Sequence, residues 1–139
     1  MKDQIYRYYY GAYELSFSNQ ENESDYDFTL QSARAHRVGV SAMLRIKNEA
    51  DTIIPCLRSI QDVFDEIVIV DNGSKDATRT RISSYIREFD AINVKIYDYP
   101  FQISRCGAEH ESTPENSVHS LAYFYNWCLS KCTCTHVFK

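Results

Sequence analysis

Several features that mark common protein classes are missing from this sequence. None of the apolar runs among its 139 residues approaches the length of about 18 that a membrane-spanning helix needs. The first residues, MKDQIYRYYYGAYELSF, contain no apolar core followed by a small-residue cleavage site, so we expect no secretory signal. The net charge of −4 argues against a dedicated nucleic-acid-binding protein. We therefore expect a globular domain without a transmembrane segment or a nucleic-acid partner.

Glycine is scarce as well, with only four residues. The first strand-to-helix turn reads RIKNEADT and contains none. The Gly-rich loops that let a phosphate approach the backbone are therefore absent. This argues against a nicotinamide-dependent enzyme and against a P-loop nucleoside-triphosphatase.

The five cysteines form an odd number without a secretory signal, which predicts reduced thiols and a cytoplasmic location. Three of them stand with a histidine in the pattern C-x3-C-x-C-x-H, formed by Cys128, Cys132, Cys134 and His136. These ligand types suit zinc, but no common zinc module has this spacing. We favour buried apolar thiols. His110, between two glutamates, is a second candidate acid–base group or metal ligand. The alternative, which we favour, is that it belongs to a solvated polar loop.

From Val38 onwards, apolar runs typical of buried strands alternate with helical patterns. The strand segments are VGVSAMLRI, EIVIV, AINVKIYDY and THVFK, and the helical segments are DTIIPCLRSIQDVF, SKDATRTRISSYIREF and SVHSLAYFYNWCLSK. This order predicts an α/β fold, a three-layer Rossmann-like parallel sheet with crossover helices that is cut short after its fourth strand. A long irregular stretch is expected from Pro100 to Asn116.

The helical segments carry N-cap candidates and apolar stripes. The caps are Asp51 or Thr52 for the first helix and Ser74 or Asp76 for the second. The expected inward faces are Ile53, Leu57, Ile60 and Phe64; then Ile82, Ile86 and Phe89; then Val118, Leu121, Ala122, Tyr125 and Leu129. Arg79, Arg81 and Arg87 are expected on a solvated helix face.

Residues 1–37 differ from the rest and are interpreted as an N-terminal extension to a domain at 38–139. A tyrosine cluster, Tyr6 to Tyr13, is followed by the polar loop SNQENESDYD. The cluster could stack on a sugar or a base. We favour an edge strand or an arm packed on the domain.

A group of polar residues is expected where the first two parallel strands end. Arg45, Lys47, Asn48 and Glu49 end the first strand, and Asp71 ends the second. Ligands of open parallel sheets bind at this carboxyl edge. A carboxylate there can accept a hydrogen bond from a base or a ribose, while Arg and Lys can neutralise phosphate. The alternative is that Asp71-Asn72-Gly73-Ser74 is only a turn with a helix cap.

The run VSAMLRIKNEADTIIPCLRSI…FDEIVIVDNGSKDATRTRI resembles the N-terminal half of a family 2 glycosyltransferase of the GT-A fold. The family's asparagine–glutamate pair is matched by Asn48 and Glu49. Its later Asp, small polar residue, Gly-Ser and Asp are matched by Asp71, Asn72, Gly73, Ser74 and Asp76. A helix that often carries an Arg-Asn pair keeps Asn126 but has Tyr125 in place of the arginine. The resemblance extends over about residues 38–139.

The resemblance implies transfer of a sugar from a nucleotide-diphosphate donor to a glycan or lipid-linked acceptor. It implies that Asp71 and Asn72 hold the nucleotide with Arg45, Lys47, Asn48 and Glu49 around the base, and that Arg105 and Asn126 reach the diphosphate. In the family, a later Asp-x-Asp motif holds a divalent cation, Mg or Mn, that bridges the diphosphate. Here THVFK ends the chain at Lys139 before such a motif, so we expect no metal ligand and no catalytic residue within this chain.

Two functions therefore stand as hypotheses. In the first, this chain is the donor-binding half of a glycosyltransferase and is inactive alone. In the second, it is a non-catalytic nucleotide-binding or assembly module from a truncated or degraded transferase. Both allow peripheral membrane association, and an unpaired fourth strand would favour self-association.

Overall fold

The computed structural model describes residues 14–139. The tyrosine cluster Tyr6 to Tyr13 lies outside the described residues. The strands of the described part are β1 (Glu14–Phe17), β2 (Phe28–Gln31), β3 (Arg37–Ile46), β4 (Glu66–Asp71), β5 (Val94–Asp98) and β6 (Cys134–Phe138). Its α-helices are α1 (Ile53–Ile60), α2 (Thr78–Phe89), α3 (Gly107–Ser112) and α4 (Leu121–Ser130), and short 3-10 helices span Ser24–Tyr26 and Ala33–Ala35.

Four strands form a parallel sheet in the order β5-β4-β3-β6, which confirms the predicted α/β class. The register places Ile46 of β3 opposite Asp71 of β4, and Asp71 opposite Asp98 of β5, so these strand ends share one edge. β6 joins on the other side of β3, and the strand order therefore reverses between β3 and β6. This reversal is where open α/β sheets place their ligands.

The two faces of the sheet bury separate apolar clusters, as a three-layer fold requires. Helices α1 and α2 cover one face, where Leu57 and Ile82 pack against β4 and β5 residues such as Ile67 and Val94. Helix α4 covers the other face. There its aromatic residues Phe124 and Trp127 belong to one buried cluster with alternate residues of β3 and β4, namely Met43, Val68 and Val70. The predicted three-layer arrangement is confirmed.

Residues 14–31 complete the second of these clusters. β1 and β2 pair antiparallel, and the Phe28 ring lies 5.0 Å from that of Tyr123 on α4. In the polar loop between them, Tyr26 lies 5.5 Å from Trp127, measured between ring centroids. The Glu21 carboxylate accepts hydrogen bonds from Ser117 Oγ and Val118 N at 2.5 and 3.0 Å. This part of the predicted extension therefore packs on the domain, while the boundary at residue 37 stays a prediction.

The predicted helix caps are confirmed only in part. Thr52 is the N-cap of α1, but its hydroxyl donates to Glu49 Oε2 at 2.5 Å and caps nothing, and Asp51 pairs instead with Arg81. The N-cap of α2 is Ala77, without a side-chain cap. Asp76, one residue earlier, accepts the Thr78 amide at 3.0 Å. The polar side chains before both helices are engaged in joining loops, as described below for Ser74.

The predicted inward faces are also partly wrong. On α2, Ile82 is buried, but Phe89 in the last turn is 45% exposed and Tyr85 is buried instead. On α4, Ala122 and Leu129 are exposed and Leu121 and Tyr125 only half-buried, whereas the buried residues are Tyr123, Phe124, Trp127 and Cys128. Because α4 is apolar on nearly every side, its periodicity does not select a face.

Two smaller expectations need correction. The stretch Pro100 to Asn116 is not wholly irregular, because it contains α3. β3 is fully buried only at residues 41–43, since Val38 near its start is 90% exposed and its last three residues are half-buried. Across the described residues, no helix is both long enough and apolar enough to cross a membrane.

Candidate functional site

The turns that follow β3 and β4 are joined by hydrogen bonds between side chains and backbone. Asn48 N donates to Ser74 Oγ, and Lys75 N donates back to Asn48 Oδ1, both at 2.8 Å. Glu49 N donates to Thr78 Oγ1 at 2.8 Å. Each turn includes a residue in the left-handed region, Asn48 at φ 56° and Gly73 at φ 74°, which asparagine and glycine tolerate best. The predicted motif therefore forms one rigid double turn.

Asp71 lies beneath this double turn and is fully buried. Its Oδ1 accepts hydrogen bonds from Ser74 N at 3.1 Å and from Ser74 Oγ at 2.5 Å. Its Oδ2 lies 3.4 Å from Arg79 Nη1. Both carboxylate oxygens therefore face donors of the protein, and the side chain fixes the shape of the turn.

Asn72 holds the ends of three strands together. Its backbone N–H donates to Ile46 O at 2.8 Å. Its side-chain Nδ2 donates to the carbonyl oxygens of Tyr99 and Phe101 at 2.8 and 2.7 Å. Both amide hydrogens are therefore used, and the amide cannot flip without losing them. The residue is only 4% exposed, and its Oδ1 accepts no hydrogen bond from the described residues.

Arg79 and Asp98 belong to this edge, although the sequence pattern did not predict either as a site residue. Arg79 Nη1 lies 3.0 Å from Asp98 Oδ1 and 3.4 Å from Asp71 Oδ2, so one guanidinium bridges the ends of β4 and β5. The predicted solvated face is confirmed for Arg79, whose side chain is 44% exposed, and the ion pairs are a further role that the prediction did not include. The position of Arg79 in the sequence could have predicted this role, because the first turn of a crossover helix starts beside the end of the preceding strand.

Arg45 lies at the same edge, on the face covered by α4. Its guanidinium carbon is 3.6 Å from the ring centroid of Tyr125, a close cation–π contact. The next residue, Asn126, is exposed and lines a cavity of about 480 Å³ between β2, α4 and β6, together with Met43 and Val137.

The predicted site residues thus fall into three groups. Asn48, Glu49, Asp71 and Asn72 are brought together by the double turn. Arg45 and Asn126 lie beside Tyr125 on the α4 face. Lys47 and Arg105 are both exposed and make no side-chain hydrogen bond or ion pair with the described residues.

The cysteine cluster does not have the properties of a metal site. Burial raises the pKa of the Cys128 and Cys132 thiols to about 12, so both stay protonated at neutral pH. His110 Nδ1 lies 2.9 Å from the carbonyl oxygen of Ser104, to which the ring donates. No group of three or more His, Cys, Asp or Glu residues suited to a metal ion occurs within residues 14–139.

The sequence pattern described as Glycosyl transferase family 2 matches residues 41–101. The match starts within β3 and ends just after β5, so it includes the whole double turn. This confirms the family resemblance over those residues and indicates glycosyltransferase activity in general. No curated protein and no solved structure matches the chain.

Proposed function

Starting from the family 2 glycosyltransferase pattern at residues 41–101, we propose that this chain carries the nucleotide-binding half of an enzyme that transfers a sugar from a nucleoside-diphosphate donor. The nucleotide binds outside the carboxyl ends of β3 and β4, next to the reversal in strand order. The observation that carries this proposal is the double turn, whose internal hydrogen bonds form it without a ligand. A preformed site avoids the ordering cost of binding.

Within this proposal, Asn72 contacts the nucleotide and Asp71 supports it from below. The fixed Oδ1 of Asn72 suits an N–H group of the base or a hydroxyl of the ribose. Asp71 holds Ser74, and through Ser74 it holds Asn48. The direct contact that the sequence predicted for Asp71 is thereby assigned to the next residue.

The divalent cation implied by the family remains a prediction. The carboxylates that end β4 and β5, Asp71 and Asp98, both face Arg79 and are not arranged to hold a cation. The residues described here therefore do not fit the metal, and no chemical step is assigned to them.

Calorimetric titration with UDP, GDP and dTDP tests the nucleotide site. We expect one base to be preferred, and Asn72→Ala to weaken its binding about 10-fold or more, the loss of one well-placed hydrogen bond. Asn72→Asp keeps an acceptor oxygen and separates loss of the acceptor from loss of the two donors. Asp62→Asn, an exposed acid after α1, is the matched control. If none of the three diphosphates binds to the wild-type chain, the proposal fails.

A non-catalytic nucleotide-binding module is the second candidate. It is favoured by the pairing of both edge carboxylates with Arg79, which leaves neither of them as a free general base. We expect this chain by itself to bind the diphosphate without turnover of a nucleotide sugar. Release of nucleoside diphosphate from a nucleotide sugar by residues 1–139 would contradict this expectation.

A further inference from the structure

Arg45 carries a positive charge that the described residues do not neutralise. Its Nε and Nη1 atoms are buried, and neither makes a hydrogen bond. No carboxylate of residues 14–139 forms an ion pair with it. An arginine stays charged at any ordinary pH, and a buried charged donor without an acceptor is costly. We therefore expect the Arg45 guanidinium to bind an acceptor that lies outside the described residues.

The ring of Tyr125 holds this guanidinium in place and also has a second cation near it. The guanidinium carbon of Arg45 lies 3.6 Å from the ring centroid, and Lys139 Nζ is 6.0 Å from the same centroid. Two cations that converge on one ring repel each other and create a positive potential beside β3 and β6. The local field therefore favours an anion.

The nearby ionisable groups do not supply that anion. The positive charge of Arg45 favours the thiolate of Cys128 and so lowers its pKa. Burial has the larger effect, however, and raises the pKa of this thiol to about 12. The thiol is therefore uncharged at neutral pH. The acidic residues that end β4 and β5 already face Arg79.

We propose that Arg45, laid on the ring of Tyr125, is an anion-binding residue that takes the diphosphate of the nucleotide, and that Tyr125 is its positioning residue. This inference rests on the proposed function, because the double turn that would hold the nucleoside lies at the end of the same strand. A planar guanidinium matches the oxygens of a phosphate. The family resemblance implied a place near the base for Arg45 and assigned the diphosphate to Arg105 and Asn126. In this proposal Arg45 takes the diphosphate, and Asn126 follows Tyr125 on α4.

The direct test is titration of the chain with inorganic pyrophosphate alone. We expect Arg45→Met to weaken pyrophosphate binding about 10-fold or more, as for loss of a charge-assisted hydrogen bond. Tyr125→Phe keeps the ring and should bind within twofold of wild type, whereas Tyr125→Leu should bind several-fold more weakly. Arg87→Gln removes an equal charge from an exposed position on α2 and should have no effect. Binding of the free nucleoside should be unchanged in Arg45→Met.

Thermal unfolding provides a second readout that a structural role of Arg45 would not produce. Because Arg45→Met removes a buried unpaired charge, we expect its unfolding temperature without ligand to equal or exceed that of wild type. Pyrophosphate should raise the unfolding temperature of wild type and not that of the variant.

The two proposals fail in different ways. If the nucleoside binds but pyrophosphate does not bind, or binds Arg45→Met as tightly as wild type, the diphosphate assignment is overturned and the nucleotide site remains. If pyrophosphate binds through Arg45 while no nucleoside or nucleoside diphosphate binds, the anion site remains and the proposed function fails.

Discussion

Replacing Glu66 with glutamine should reduce the free energy of unfolding by about 2 to 5 kcal/mol. Glu66 starts β4 at the edge opposite the candidate site and is 1% exposed. Its Oε2 accepts hydrogen bonds from Ser41 Oγ at 2.6 Å and Thr133 N at 2.8 Å. Its Oε1 accepts from Thr133 Oγ1 at 3.0 Å and Lys95 Nζ at 3.1 Å. One carboxylate therefore links β4 to β3, to β5 and to the residue before β6.

The magnitude follows from what a glutamine amide would meet in this place. If its NH₂ group replaced Oε2, it would face the Thr133 amide, which can only donate. If it replaced Oε1, it would face the Lys95 ammonium, which can also only donate. Either orientation loses at least one hydrogen bond to a charged group, worth about 1.5 to 3 kcal/mol, and weakens a second. A loss of this size is a large part of the 5 to 15 kcal/mol that is typical of a whole domain.

Urea denaturation followed by far-UV circular dichroism measures this difference. Glu88→Gln, at an exposed position on α2, removes the same charge and should stay within about 0.5 kcal/mol of wild type. A Glu66→Gln variant as stable as Glu88→Gln would refute the reasoning, because the four contacts would then contribute no net stability.

The same residue predicts how stability depends on pH. Burial alone would raise the pKa of Glu66, but the hydrogen bonds from Ser41, Thr133 and Lys95 outweigh it and hold the pKa below its ordinary 4.5. A carboxyl whose pKa is lower in the folded state stabilises the protein above its unfolded-state pKa. This contribution is lost as the pH falls through the folded-state pKa. We therefore expect the difference between wild type and Glu66→Gln to be constant near neutral pH and to shrink below about pH 4.5.

Two further predictions concern the double turn and the thiols. Ser74→Ala removes the hydroxyl between Asp71 and Asn48. It should lower the free energy of unfolding, measured by urea denaturation, by about 1 to 3 kcal/mol. An unchanged free energy of unfolding would show that other contacts hold the two turns together. With a chromogenic disulfide reagent at pH 8, the exposed thiol of Cys106 should react quickly. The thiol of Cys132 is buried and its pKa is raised to about 12, so it should react only when the protein unfolds. Rapid labelling of Cys132 in the folded protein would contradict the structure.

The parallel sheet could be predicted because its strands are short continuous apolar runs separated by helical patterns. EIVIV is buried at every position, so its composition alone was informative. The double turn could be located because Asn48 follows β3 and Asp71 ends β4, and the two strands end at one edge. What spacing did not predict is how the two buried side chains differ: both carboxylate oxygens of Asp71 face donors of the protein, whereas Asn72 uses its amide hydrogens and leaves its Oδ1 without a donor from the described residues.

The errors arise where a contact joins residues far apart in sequence. Local periodicity could not orient α4, because the face it buries is selected by Tyr26 and Phe28 from the start of the chain. The role of Arg79 depends on Asp98, which is 19 positions away on another strand. A basic residue on an amphipathic helix is usually solvated, so only the paired strand ends distinguish it.

The packing of residues 14–31 on α4 has a consequence for biosynthesis. Glu21 and Val118, which share a hydrogen bond, are 97 positions apart. During translation, at about 5 to 20 residues per second, Glu21 therefore leaves the ribosome several seconds before its partner does. During that interval the side chains of Phe17 and Phe28 have no aromatic residues of α4 to pack against. This segment is synthesised early and docks late, so its docking is a step that chaperones could protect and that fast synthesis would help.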